Sequence, residues 1–132
     1  MITELMEMFY RTHTKSTEEY DKDFQKLIQI FLTDIAASMY TYMLMLEHSH
    51  TDRKEEFSIV KGYRDTLFNL RDQRSIDYKS LVFDLKALQN QINIHAILLR
   101  TNNERSWEAE TLKSLLNNIG QVRFAIQDYI KD

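Results

Sequence analysis

The chain has 132 residues, of which 43% are hydrophobic and 28% charged, and its formal net charge is −3. This length and composition predict one globular domain over residues 1–132 with its own core and exclude a disordered chain. The absence of cysteine excludes disulfides, thiol catalysis and thiolate metal sites.

Compartment and partner class are constrained by the distribution of charge. The acidic N-terminus lacks the basic residues of a signal peptide, and no uninterrupted apolar run approaches the ~20 residues of a membrane span. We therefore predict a cytoplasmic protein that does not contact a membrane. No segment is strongly basic, which argues against nucleic acid as a partner.

The composition predicts an all-α fold. The chain has no proline and only two glycines, Gly62 and Gly120, whereas strand-rich folds depend on both residue types for their turns. Leucine far outnumbers valine, which favours helix over strand. We expect an up-down-up-down bundle of about four helices with a long first helix and a short N-terminal helical segment.

The short N-terminal segment covers the first twelve residues. Its apolar side chains recur at helical spacing and are Ile2, Leu5, Met6 and Phe9. We expect either a short helix or a segment that folds only against a neighbour, with Met6 and Phe9 as its docking residues.

The main first helix is predicted to begin near Ser16 and to end at about His48. Ser16 and Glu19 have the spacing of a capping box, in which each side chain bonds the backbone amide of the other residue. One apolar stripe then follows, formed by Tyr20, Phe24, Leu27, Phe31, Ile35, Met39, Tyr42 and Leu46. A helix of ~32 residues has a length of about 48 Å.

A break over residues 48–52 separates the second helix, whose N-cap is predicted as Thr51 or Asp52. Its apolar stripe consists of Phe57, Val60, Tyr63, Leu67 and Leu70. Gly62 inside this helix predicts the close approach of a neighbouring helix, with a kink as the alternative. Residues 71–75 form a weak break, so the second and third helices could also run together.

The third helix is predicted to start at Ser75 or Asp77. Its stripe is Leu81, Leu85, Leu88, Ile92 and Leu99, with His95 and Ala96 between. A loop over residues 101–106 precedes the last helix, whose cap is predicted as Asn103 or Ser106. The last stripe is Trp107, Leu112, Leu115, Leu116, Ile119, Val122, Ile126 and Tyr129.

Residues 39–46 are the densest apolar segment, and their apolar side chains go all round the helix. Such a helix is either buried on several sides or leaves apolar surface exposed. Flexible methionine side chains suit adaptable partner binding. Both readings stay open here. The predicted partner-binding residues are Met39, Tyr40, Tyr42, Met43 and Met45, with Met6 and Phe9 as a second docking element.

Patterns for catalysis or metal binding are missing from the sequence. His48 and His50 are two residues apart, which is not the spacing of metal ligands on a helix. Ferritin-like carboxylate sites need Glu-X-X-His on two helices, and this pair of motifs is absent, as is the glycine-rich phosphate loop. We therefore predict no enzyme, no cofactor and no metal, and we interpret His95 as a hydrogen-bonded core histidine.

These observations predict a non-catalytic protein-protein interaction module, such as an adaptor, inhibitor or assembly subunit. It would act through an apolar helix face on a protein partner and would form a homo-oligomer. The alternative is a small ligand-binding or enzymatic bundle with a site between helices near His95. Converging polar groups around His95 would favour the alternative, and an exposed apolar patch on residues 39–46 would favour the first reading.

Overall fold

The computed structural model describes residues 17–49, 52–101 and 105–131. These residues form four helices and no strand: α1 (Thr17–Glu47), α2 (Lys54–Arg71), α3 (Tyr78–Arg100) and α4 (Ser106–Ile130). The prediction of an all-α bundle with a long first helix is confirmed. The predicted N-terminal helical segment, with Met6 and Phe9, lies outside the described residues.

The helices run up, down, up and down. Along the bundle, α1 packs closely on α2 and more loosely on α4, while α3 packs closely on α4. At one end of the bundle, the ring of Tyr20 near the start of α1 stacks on Tyr129 near the end of α4. At the other end, Tyr42 of α1 meets Glu56 at the start of α2 and Trp107 at the start of α4. Neighbouring helices along the chain are therefore antiparallel.

The helix starts confirm part of the predicted capping. Asp77 accepts hydrogen bonds from the backbone amides of Lys79 and Ser80 and caps α3, so α2 and α3 are separate helices. The N-cap position of α2 is Arg53, whose side chain does not cap the helix, and not Thr51 or Asp52 as predicted; Asp52, one residue earlier, accepts a hydrogen bond from the amide of Lys54. No side chain caps α4, which begins directly after Arg105.

Each helix contributes one apolar stripe to a common core. The predicted stripe of α3 is buried completely, and in α2 all but the half-buried Phe57 is buried. In α1 the core extends beyond the predicted stripe, because this helix packs against both α2 and α4. Its buried residues are Phe24, Ile28, Phe31, Leu32, Ile35, Ala36, Met39, Tyr42, Met43 and Leu46.

The two helical hairpins share one pattern of burial. The buried positions of α2 recur 52 residues later in α4: Glu56, Val60, Tyr63, Leu67 and Leu70 correspond to Glu108, Leu112, Leu115, Ile119 and Val122. Between α1 and α3 the offset is 53: Ile28, Leu32, Ile35, Met39, Met43 and Leu46 correspond to Leu81, Leu85, Leu88, Ile92, Ala96 and Leu99. The bundle thus consists of a first hairpin (α1 and α2) and a second, similarly packed hairpin (α3 and α4).

One helix in the described part of the chain, α1, is long and apolar enough to cross a membrane by length and composition alone. The core helix of a globular protein passes the same test. In the bundle, 44% of the most apolar window of α1 is buried inside the fold, which agrees with its place in the core.

The predicted close approach of a helix at Gly62 is wrong. A Cβ atom built at Gly62 meets no heavy atom within 4 Å, and α2 continues through this position without a break. Gly62 therefore costs helix stability and gives no packing in return, since glycine is the least favourable helix residue after proline.

We expect Gly62→Ala to raise the free energy of unfolding by about 1 kcal/mol, the difference in helix propensity between the two residues. Urea denaturation measures it. Gly120→Ala is the control: a Cβ there would lie 2.8 Å from Nε2 of Gln89, so this side chain must move and the gain is smaller. An unchanged or lower stability of Gly62→Ala would contradict the open environment described here.

Candidate functional site

Two buried glutamates lie at the end of the bundle where α2 and α4 begin. Glu108 is completely buried and Glu56 is 5% exposed. Each is the third residue of its helix, and each helix is preceded directly by an arginine, Arg53 or Arg105. The helix dipole favours an acid in the first turn, but a buried carboxylate also needs a cationic partner.

The two arginines supply these partners in a crossed arrangement. Arg53, which precedes α2, places its Nε 3.1 Å from Oε1 of Glu108 in α4. Arg105, which precedes α4, places its Nη2 3.3 Å from Oε1 of Glu56 in α2 and its Nε 2.7 Å from Oε2 of Glu108. The hydrogen bond to Glu108 raises the pKa of Arg105 above its ordinary value. The start of each hairpin's second helix is therefore tied to the other hairpin.

His95 of α3 joins this network through both ring nitrogens. Its Nε2 lies 2.7 Å from Oε1 of Glu56, and its Nδ1 lies 3.0 Å from the hydroxyl oxygen of Tyr63. A neutral imidazole protonated at Nε2 satisfies both contacts, because it donates to Glu56 and accepts from Tyr63. His95 is thus the hydrogen-bonded, largely buried histidine that the sequence indicated, and α2 and α3 are bridged by it.

Tyr42 closes the cluster from the side of α1. Its hydroxyl donates to Oε2 of Glu56 over 3.4 Å, and its ring meets that of Trp107 edge-on at 5.8 Å. Burial, reinforced by the nearby glutamates, raises the pKa of Tyr42 well above its usual range, so its hydroxyl remains a donor. All four helices therefore contribute to one polar cluster.

An open cleft of about 530 Å³ lies beside the cluster. It is lined by Arg53, Lys54 and His95 among its polar residues, and by Ile59 and Leu98 among its apolar ones. Polar groups do converge near His95, as the alternative reading requires. However, their hydrogen-bonding atoms engage one another, and the described residues hold no group of three or more side chains suited to a metal ion. The cluster holds the helices together through these contacts.

The structure divides the five partner-binding residues predicted in α1. Met39, Tyr42 and Met43 lie in the core, whereas Tyr40 and Met45 are 46% and 50% exposed. The guanidinium group of Arg64 covers one side of the Tyr40 ring at 5.0 Å. Of these five, only Tyr40 and Met45 can be reached on the folded bundle. Met6 and Phe9 lie outside the described residues.

A larger apolar surface, which was not predicted, lies on α3. Phe83, Ile94, Ile97 and Leu98 are between 52% and 72% exposed, on the side of the helix away from its core stripe. Three of these residues, Phe83, Ile94 and Ile97, together with the exposed Ala87 and Asn90, recur at alternating steps of four and three residues. We call this set the outer seam: Phe83, Ala87, Asn90, Ile94 and Ile97. Such spacing is typical of a helix that pairs with another helix.

The corresponding face of α1 is not continuous. The offset of 53 residues between α1 and α3 places Ile30, Asp34, Ala37, Thr41 and Leu44 at the positions of the outer seam. Asp34 and Thr41 interrupt this face where α3 has Ala87 and Ile94. The outer seam therefore belongs to the second hairpin alone.

Comparison of the chain with protein-family models, curated proteins and solved structures finds no significant match. The function is therefore inferred from the geometry of this chain's own residues.

We expect Glu108→Ala to lower the free energy of unfolding by about 3 kcal/mol, since it leaves two largely buried arginines without their shared carboxylate. Urea denaturation monitored by circular dichroism measures the change. Glu110→Ala, an exposed acid two residues further along α4, is the matched control and should change stability by less than about 0.5 kcal/mol. Equal effects of the two substitutions would show that the crossed pairs do not stabilise the bundle.

The buried Tyr63 generates a second expectation. Burial raises its pKa from 10.0 to about 12, so folding favours the protonated hydroxyl. Its contribution to stability is complete below pH 10 and is lost as the pH rises towards 12. The difference in unfolding free energy between the natural chain and Tyr63→Phe, measured in urea, should therefore shrink over this interval. A difference that stays constant over this interval would contradict a raised pKa of Tyr63 in the folded chain.

Proposed function

We propose that this protein is a non-catalytic interaction module that binds a protein partner through the outer seam of α3. The observation that carries the proposal is the row of exposed apolar residues opposite the core stripe of α3. Large apolar patches on a folded chain mark sites of association. Complete burial of one large apolar side chain is worth about 1.5–3 kcal/mol, so covering several of them supports a stable complex.

The polar cluster around Glu56 and His95 supports the non-catalytic part of the proposal. A general base needs a free lone pair within reach of its substrate. Both nitrogens of His95 are occupied by Glu56 and Tyr63, and Glu108 is held between Arg53 and Arg105. These contacts supply structural stability and account for the cluster without a substrate.

The exposed residues of α1 form a smaller surface. Tyr40, Leu44 and Met45 are accessible, but the outward face of α1 also carries Asp34 and Thr41. An interface buries few unpaired charges at its centre. We therefore assign partner binding to α3, although sequence reasoning directed it to α1.

The cleft beside His95 supports a second candidate function, the binding of a small ligand between helices. Its volume of about 530 Å³ lies in the range of ligand pockets, and it combines apolar walls with Arg53 and Lys54. The polar atoms near His95 already engage one another, so a ligand would have to replace contacts within the chain. The interaction module is therefore the better-supported function.

The double substitution Ile94→Asp with Ile97→Asp tests the proposal, because it places two charges on the outer seam. The tagged chain is used to capture binding proteins, including untagged copies of itself, from an extract of the native host, with mass spectrometry as readout. We expect the seam variant to capture at least ~10-fold less protein than the natural chain, because the charges disrupt residues that anchor the interface. Circular dichroism confirms that it folds.

The matched control is Thr41→Asp with Leu44→Asp, at the corresponding exposed positions of α1. This variant carries the same charges on the first hairpin and should capture as much protein as the natural chain. Equal capture by the seam variant and the natural chain would refute the proposed function.

A further inference from the structure

We propose that the outer seam binds one amphipathic helix of a protein partner, and that this helix carries a row of acidic residues along the flank that faces α4. The inference rests on the proposed function and names the chemistry of its partner. The spacing of the seam predicts a helix, and the unpaired basic residues along one edge of the seam predict the acids.

The spacing of the seam fits a helix. From Phe83 to Ile97, the outer seam advances by four, three, four and three residues, so it stays on one face over 14 residue steps, or about 21 Å. The core side of α3, which does pack on helices of the bundle, has the same spacing, at Leu81, Leu85, Leu88 and Ile92. A partner helix of about four turns with apolar residues at this spacing covers the whole seam.

The two edges of the seam differ in charge. The edge towards α4 lies beside Gln89, whose amide donates to the backbone carbonyl of Leu116 over 3.5 Å. Along this edge one exposed residue recurs every seven positions, and we call the row the basic edge: Lys79, Lys86, Asn93 and Arg100. The edge towards α2 lies beside His95, and its row with the same spacing is Asp84, Gln91 and Leu98. The positive charge is therefore confined to the side of α4.

The basic edge has no acids of its own within the described part of the chain. There, no carboxylate lies within ion-pair distance of Lys79, Lys86 or Arg100. A partner that covers the seam also removes water from this edge, and an uncompensated charge at an interface is unfavourable. Acidic residues on the partner, at the same spacing of seven, compensate these charges.

The neighbouring helix α4 adds to the basic edge. Leu116 and Gly120 lie against Gln89, and Lys113 and Arg123 continue this row of α4 by one step at either end. Nε of Arg123 and Oε1 of Gln89 are buried, and neither has a hydrogen-bond partner among the described residues. A guanidinium group matches the geometry of a carboxylate, and a buried donor without a partner is costly. Both helices thus present cations along their common boundary.

The apolar surface crosses the same boundary. Phe124 of α4 is 71% exposed and lies at the level of Phe83, which is 72% exposed, because each is five residues from a tyrosine of the packed pair Tyr78 and Tyr129. An occupant must therefore cover apolar side chains and neutralise cations beside them. An amphipathic helix with an acidic flank combines both properties in one element.

A second copy of this chain does not supply the acids. Asp84 is the only acidic residue of α3, and it lies on the opposite edge of the seam. In a two-fold antiparallel pair of seams the two basic edges meet, with Lys79 beside Arg100 of the second copy. Like charges facing each other suppress such a pair.

Charge reversal on the basic edge tests the proposal. Lys79→Glu with Lys86→Glu leaves the seam intact, and we expect it to capture at least ~10-fold less protein from host extract than the natural chain, because acids then face acids. The matched control, Lys22→Glu with Lys26→Glu, has the same net charge and changes exposed positions of α1. It should capture as much protein as the natural chain, and circular dichroism confirms that both variants fold.

Two results separate this inference from the proposed function. Undiminished capture by the charge-reversed variant, together with lost capture by Ile94→Asp with Ile97→Asp, would overturn the acidic partner and keep the seam as the binding surface. Undiminished capture by both variants would overturn both proposals.

Carbodiimide cross-linking of the captured complex identifies the contacts, because this reagent joins a lysine amine directly to a carboxylate. We expect Lys79 and Lys86 to be linked to acidic residues about seven positions apart in one segment of the partner, with apolar residues at helical spacing between them. Lys86→Arg is the control, since it keeps the charge and the capture but removes the link at this position.

Three outcomes of these measurements would contradict the proposal. They are the absence of links from both lysines, links to a second copy of this chain, and links to a partner segment without the expected pattern. Seam-dependent sedimentation with vesicles of phosphatidylserine and phosphatidylcholine would likewise assign the surface to a membrane and overturn the helical partner.

Discussion

The crossed ion pairs at the start of α2 and α4 are the interaction on which the arrangement of the bundle depends. A buried carboxylate is tolerated only when a cation and hydrogen-bond donors surround it. Glu108 receives them from Arg53 of the first hairpin and Arg105 of the second, while Glu56 receives them from Arg105 and His95. These requirements are met together only when the two hairpins are in one relative position, so the polar cluster specifies how they dock.

At the opposite end of the bundle, a carboxylate is again shared between the hairpins, but its partners are tyrosine hydroxyl groups and not arginines. Oδ1 of Asp21 in α1 accepts hydrogen bonds from the hydroxyl groups of Tyr78 and Tyr129, at 2.7 and 2.8 Å. Gln25 donates to the other carboxylate oxygen. The burial of Tyr78 raises its pKa, which keeps this donor protonated. Each end of the bundle is thus closed by a carboxylate shared between the hairpins, and the stripes between the ends are apolar.

Sequence periodicity was sufficient for the helices and their core stripes, because one buried stripe per helix is a local property. It was insufficient for contacts between residues far apart in the chain. From the sequence, Glu108 was interpreted as an acid that complements the dipole of its own helix. Its partner Arg53 lies 55 residues earlier, and the residues around Glu108 in the sequence give no sign of it. The outer seam was missed for a related reason. Phe83 and Ile94 follow the same periodicity as the core of α3, and only the packing shows which stripe faces water.

The shared burial pattern of the two hairpins has a consequence for the number of binding faces on the bundle. Since the core needs the same positions from each hairpin, the outward faces are free to diverge, and of the two corresponding faces on α1 and α3 only that of α3 is continuously apolar. A chain with one binding surface takes up a single partner there, whereas two such surfaces on opposite sides would let molecules add without limit. In the proposed function, Asp34 and Thr41, which interrupt the matching face of α1, therefore leave one binding face for the two hairpins.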